Sequence, residues 1–119
     1  MNLGNKNTGN KGEDLTTNWL IEKGFEIIAR NYRFKHSEVD IIASKNNILH
    51  FVEVKTRTNA AFGLPEESID EKKMNALKKA ASAFIEENEQ WKNIQFDVMA
   101  ITLSKNNTPE FFFIEDVFF

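Results

Sequence analysis

The sequence predicts a single mixed α/β domain with elements in the order α-β-β-β-α-β-β. Three observations carry that expectation. The chain has 119 residues, the length of one domain. Two stretches, about 12–23 and about 68–88, repeat apolar residues at the helical period, and five shorter runs are β-branched or aromatic. Turn signals containing Asn, Gly or Pro separate most of these stretches. A folded chain of this size buries roughly two-thirds of its unfolded surface, enough for one core without covalent staples. Eleven Phe residues predict that the core is aromatic.

Composition removes several function classes. The absence of cysteine excludes disulfides, thiolate metal sites and cysteine nucleophiles. The N-terminal MNLGNKNTGNKGED lacks the apolar centre of a signal peptide. No apolar run approaches the roughly 20 residues needed to span a bilayer. The expectation is a cytoplasmic protein without a membrane partner. A net charge of −3 argues against a protein that coats nucleic acid non-specifically. Basic residues nevertheless gather in the middle, from Arg30 and Arg33 through Lys55 and Arg57 to Lys72, Lys73, Lys78 and Lys79, and acids gather later. A basic face with an acidic back is expected; an ordinary solvated surface is the plainer alternative.

Taken in order, residues 1–9 are polar and Gly/Asn-rich and are expected to be mobile, leaving 10–119 as the domain. Gly4 and Gly9 resemble a phosphate-binding loop in spacing only: Asn10, not Lys, directly follows the second Gly, and no strand precedes it. Leu15, Trp19 and Leu20 give the first helix its stripe, Glu13 lies in its first turn, and Gly24 is its stop. FEIIARNYR (25–33) reads as the first strand. The next two strands flank Lys45-Asn46-Asn47, and Asn tolerates the positive φ of a tight hairpin turn. With a two-residue loop, Lys45 pairs with Ile48, Asp40 falls opposite Glu53, and Glu38 faces Lys55. Residues 58–67 form a loop, and Ser68-Ile69-Asp70-Glu71 matches a capping box opening a helix that runs to about Asn88. Its apolar stripe is Met74, Leu77, Ala81, Phe84 and Ile85, with Lys73 near the buried edge. IQFDVMAITL (94–103) and EFFFI (110–114) complete the strands. The closing Phe111, Phe112, Phe113, Phe118 and Phe119 are apolar on both strand faces, which suits core, with part of the run available as a homodimer surface.

The chemistry concentrates between Ser37 and Arg57. Asp40 is flanked by Val39 and Ile41, and Glu53 by Val52 and Val54. Ionised side chains so placed cost free energy unless paired, hydrated or bound to a cation. Mg²⁺ (or Mn²⁺) takes hard oxygen ligands, typically one or two carboxylates completed by water and phosphate. Asp40 and Glu53 supply that minimum, and the Val54 carbonyl could add a third oxygen. Strand parity puts Glu53, Lys55 and Arg57 on one face with Phe51. Lys55 could orient a water or offset charge on a phosphate, and Glu13 could serve as a further carboxylate. The plainer reading of D-x12-E-x-K is a set of ordinary ion pairs, Asp40–Lys55 and Glu53–Arg57; the motif fits both. Two histidines, His36 and His50, without cysteine do not suggest zinc. Neither a G-x-S-x-G elbow nor a Rossmann glycine pattern is present.

One wider pattern bears on the choice. Gly12-Glu13, Arg30-Asn31-Tyr32-Arg33, Glu38-Val39-Asp40-Ile41-Ile42, Phe51-Val52-Glu53-Val54-Lys55-Thr56-Arg57, Phe62-Gly63, Lys73 and Phe96-Asp97-Val98 together resemble the bacterial YraN-like family. That family is regarded as endonucleases of the restriction-endonuclease-like, PD-(D/E)XK fold, distantly similar to Holliday junction resolvases. The resemblance implies a mixed β-sheet flanked by helices. It implies Asp40 and Glu53 as metal carboxylates, Lys55 as the motif lysine, Glu13 as the helix acid and Lys73 as a contact to nucleic acid. Two positions depart from the family pattern: Ser37 stands where Gly is usual, and Gln95 where Arg is usual.

Three functions follow as expectations. The first is a Mg²⁺-dependent endonuclease hydrolysing phosphodiester bonds of nucleic acid, DNA with branched structure foremost; a homodimer would suit a junction substrate by analogy with relatives. The second is a nucleic-acid-binding module of the same fold with little catalysis, in which Lys73, Arg33 and Arg57 matter more than the carboxylates. The third is an interaction protein using its Phe-rich C-terminal strand.

Overall fold

The computed structural model describes residues 4–57, 71–103 and 108–117, with side chains from residue 11 onward. The elements are α1 (Gly4–Glu22), β1 (Glu26–Phe34), β2 (Ser37–Lys45), β3 (Ile48–Arg57), α2 (Glu71–Glu87), β4 (Asn93–Leu103) and β5 (Pro109–Ile114). The order is the expected α-β-β-β-α-β-β. One sheet holds all five strands in the order β1-β2-β3-β4-β5. β3 and β4 run parallel and the other neighbours antiparallel. A parallel pair needs a crossover, and α2 lies in it. The expected loop 58–67, Ser68 of the capping box, Phe62-Gly63, and Phe118 and Phe119 lie outside the described residues.

The sheet separates two cores. On one face Val39, Ile42, Leu49, Phe51 and Val98 pack with Met74, Leu77, Ala80, Ala81 and Phe84 of α2. On the other, Leu20 of α1 and Phe25 pack with Ile41, Ala43, Val52, Met99 and Ile101. Aliphatic residues make up most of both buried clusters, and the aromatic rings that the Phe count predicts join them, largely at their edges. Phe51 stacks on Phe96 at 5.6 Å and meets Phe84 edge-on at 6.2 Å. Phe111 and Phe113 of β5 pack against Trp19 of α1, while Phe112 points outward and is 54% exposed. Among the described residues no helix is long and apolar enough to cross a membrane.

The β2–β3 hairpin has the two-residue loop that Asn46-Asn47 predicts. Asn46 (φ 52°) and Asn47 (φ 64°) both take the left-handed conformation, and Lys45 pairs with Ile48. Pairing continues to Ile41–Val52, so Asp40 and Glu53 stand next in line. The expected Glu38–Lys55 facing is not realised: Glu38 bonds Arg33 of β1 at 2.7 Å. The cause is a change of face at Asp40. Val39 and Ile42 both enter the α2-side core, whereas Ile41 and Ala43 enter the α1-side core. β1 changes face alongside: Ala29 and Tyr32 share the α2 side, and Asn31 between them has φ 54°.

Helix α1 begins at Gly4, earlier than the expected Gly12. The apolar period starts only at Leu15, so the preceding turns carry no pattern; a helix already docked extends at small cost per residue. Its end is as expected, with Gly24 at φ 95° and its N–H donating to the Ile21 carbonyl at 3.0 Å.

Candidate metal and phosphodiester site

Asp40 sits where β2 changes face, one step beyond its last ladder pair with β3. There its Oδ2 accepts a hydrogen bond from the Val54 N–H at 2.8 Å. The side chain thus fixes Asp40 beside Glu53 on the central strand. Glu53 is 7% exposed, two residues along β3 from the fully buried Phe51. A cleft of about 280 Å³ opens over the pair, bounded by His36 and Ser37 on one side and Lys73 and Ala76 of α2 on the other.

The electrostatics are those of two carboxyl groups forced together. Burial, the Asp40 charge and a hydrogen bond with Asp40 push the Glu53 carboxyl up to about 8, against weaker opposition from Lys73 and Lys55. That direction favours a proton on Glu53, whose hydroxyl then donates to Asp40. Lys73 Nζ stands 3.5 Å from Glu53 Oε1. Lys55 is held below the ordinary lysine range by burial and by Lys73, which meets it in a hydrogen bond. Burial also works to lower Lys73, but its contacts with Lys55 and Glu53 outweigh it and raise the group. One lysine is thus eased toward the neutral amine and its neighbour is held cationic.

Glu13 approaches from α1. Its carboxyl is raised by burial and by the Asp40 charge, with Asn31 and Arg30 acting the other way. Glu13 Oε1 is buried and has no hydrogen-bond partner among the described residues; the Arg30 guanidinium lies 3.6 Å away and bonds Asp14 at 2.8 Å. What lets α1 come so close is Gly12: a Cβ there would sit 1.9 Å from Thr56 Oγ1.

Of the residues singled out by sequence, Asp40, Glu53, Lys55 and Lys73 come together in one cluster, with Glu13 within electrostatic reach of Asp40. Val54 contributes its N–H to Asp40. Arg33 is 70% exposed and paired with Glu38, and Arg57 ends β3. The plainer pairings Asp40–Lys55 and Glu53–Arg57 are not among the described ion pairs; Glu53 instead meets Lys73 from another element. Sequence reasoning missed Asn31, whose left-handed backbone and bond to Glu13 belong to the same corner. Its signal was an Asn within a strand pattern.

The two departures are accommodated locally. Positive φ in the β1–β2 turn falls on Lys35 (φ 55°), not on Ser37, so Ser37 does not need glycine's freedom. Gln95 donates to Asp97 Oδ1 at 2.9 Å, and His50 Nδ1 lies 2.6 Å from Asp97 Oδ2. These two partners of Asp97 lie in β3 and β4, and the Asp116 N–H adds a third at 2.9 Å.

Two buried carboxyl groups side by side and a buried Glu13 oxygen that makes no hydrogen bond, with the Arg30 guanidinium 3.6 Å away, fit a divalent metal. Among the described residues no group of three or more His, Cys, Asp or Glu side chains is placed to hold a metal ion. An open, two-carboxylate arrangement is what Mg²⁺ uses when phosphate and water complete its shell.

Comparison with known proteins adds the family. Residues 12–101 match the uncharacterised protein family UPF0102. The chain is 46% identical over 105 residues to a UPF0102 protein of Dictyoglomus thermophilum, covering 87% of this chain and 89% of that one. It is 43% identical over 121 residues to one from Caldicellulosiruptor bescii, covering 99% and 100%. A third, from Clostridium novyi, is 40% identical over 116 residues, covering 96% and 97%.

Proposed function

The chain belongs to the uncharacterised protein family UPF0102, a name that carries no activity, and from its site we propose that it is a divalent-metal-dependent endonuclease hydrolysing phosphodiester bonds of nucleic acid. The observation that carries this is the Asp40–Glu53 pair, buried beside two lysines in an open cleft. The resemblance to PD-(D/E)XK endonucleases supports it, as does the order of elements around a mixed sheet.

Asp40 and Glu53 would hold the cation, with the Val54 carbonyl as a candidate third ligand and Mg²⁺ or Mn²⁺ as the ion. Bound there, such an ion supplies Lewis-acid stabilisation of the phosphate and acidifies water. The chain's own residues do the rest. The Val54 N–H keeps Asp40 aimed at Glu53. Glu53 must release its proton before it can serve as a ligand, so metal and proton compete for it. Lys73 offers a fixed positive charge to a phosphoryl oxygen, where charge grows during cleavage. Lys55 gives up its proton more readily than an ordinary lysine and is the group suited to moving a proton at the attacking water. Glu13 adds negative charge from the α1 wall. The preferred substrate is DNA with branched structure, on the strength of the resemblance.

The test is a panel of labelled duplex, single-stranded, flap and four-way DNA incubated with Mg²⁺ or Mn²⁺. Cleavage of at least one substrate is expected, falling on the order of 1,000-fold or more in Asp40→Ala and Glu53→Ala, since a bound metal contributes several kcal/mol to the transition state. No cleavage, or equal cleavage by both variants, contradicts the proposal. Salt-sensitive binding that survives Asp40→Ala without any cleavage would select the binding-module reading instead.

A further inference from the structure

The cleft over Asp40 and Glu53 does not end at the carboxylates. It shares His36, Ser37 and Ala76 with a larger groove of about 770 Å³, which runs between the β1–β2 turn and α2. That groove shares Lys79 with a third hollow of about 310 Å³ beside Phe34. The three adjoin one another and form an open channel from the carboxylates along the helix, sharing these lining residues.

The α2 wall of the channel is a polar stripe. Lys72, Asn75, Lys79 and Ser82 line it, spaced by three or four residues and therefore on one helical face. None belongs to the apolar stripe that packs on the sheet. Lys72 and Lys79 are exposed and make no ion pair among the described residues. They stand about 10 Å apart along the axis. Across the channel is Phe34, with Lys35 Nζ 5.3 Å from its ring centre. Phe34 is half-buried, and part of its ring lines the hollow. Acids, Glu71 and Glu86, occur only toward the ends of the helix wall.

Spaced ammonium and amide donors near a partly exposed aromatic ring are the features by which proteins hold an unpaired strand: cations follow the phosphates and a ring accepts a base. A duplex would present two strands to a broad basic face, whereas here the cations lie along one helix, with Lys78 joining Lys79 at the third hollow, and the chain's net charge is −3. We propose that this channel is the track for one unpaired nucleic-acid strand, its phosphates meeting Lys72, Asn75 and Lys79 as the strand leaves the Asp40–Glu53 pair. The inference rests on the phosphodiesterase reading and names the form of its substrate: a single-stranded arm, as in a flap or overhang.

Fluorescence anisotropy in EDTA tests it without cleavage, using a labelled unpaired DNA, the same sequence as RNA, and the duplex. Tighter binding of an unpaired strand than of duplex is expected, and the DNA and RNA arms identify which sugar it carries. Lys72→Ala and Lys79→Ala should each weaken that binding about fivefold near 0.1 M salt and reduce the salt slope by about 0.7, the loss of one phosphate contact. Lys92→Ala, beyond the end of α2, is the charge control and should change binding less than about twofold. Circular dichroism and melting confirm that these surface variants are folded. A preference for duplex, no binding by the wild type, or losses no larger than that of the control overturn the track. Cleavage of unpaired DNA with Mg²⁺ alongside unchanged binding by both variants would overturn the track and leave the nuclease reading standing. Lysine-dependent binding without any cleavage would do the reverse.

Discussion

Glu53 carries the most strongly displaced charge of the site, and its consequence for pH can be worked out. The carboxyl titrates at about 8 in the folded, metal-free protein against a reference of 4.5. Between those values the folded chain holds a proton that the unfolded chain has released. Stability without metal should therefore fall as pH rises through that window and level off above it. Melting temperatures in EDTA from about pH 5 to pH 8 would read the decline, and Glu53→Gln should flatten it. His50 offers a separate test. It lies against Phe25 and bonds Asp97, which also accepts from Gln95 and the Asp116 N–H. His50→Ala should cost about 3 kcal/mol in urea unfolding, since it strips a buried carboxylate of one partner. Asp40, Glu53 and Lys55 were legible in sequence because acids between β-branched residues need a reason to be there. The Lys55–Lys73 contact was not, because it joins β3 to α2 across a loop with no sequence register.

At the scale of elements, the hairpin was the most legible part. Asn46-Asn47 suits a two-residue loop, and the loop fixes the register to Ile41–Val52. The paired change of face at Asn31 and Asp40 was not legible, because strict alternation is the only pattern a strand reading can use; the switch arises from how β1 and β2 fit two different cores. It matters for function, since it frees the Asp40 side chain to reach Val54. The start of α1 was missed for want of apolar period. The same helix supplies a prediction. Gly12 lies so close to Thr56 that a methyl group cannot be added without movement, the Thr56 Cβ itself lying 3.2 Å from the added atom. Gly12→Ala should destabilise by roughly 1–3 kcal/mol in urea unfolding. It should also weaken stabilisation by Mn²⁺, because it displaces the adjacent Glu13. An unchanged melting curve with unchanged metal response would remove α1 from the account of the site.

For the whole molecule, the layered arrangement holds the carboxylate pair on a rigid frame. Helices on opposite faces bury two cores, and the central strand β3, paired on both sides, presents Glu53 and Lys55 from a rigid position. The α/β class and element order followed from periodicity alone. The channel along α2 did not, because it is formed by a turn and a helix distant in sequence. All of this depends on the Asp40–Glu53 pair being built to receive a cation, and calorimetric titration with Mn²⁺ near pH 8 tests that most directly. The account predicts saturable binding by the wild type with release of a proton, weakened on the order of 100-fold or more in Asp40→Asn and in Glu53→Gln. Absence of binding by the wild type, or equal binding by all three proteins, would contradict it.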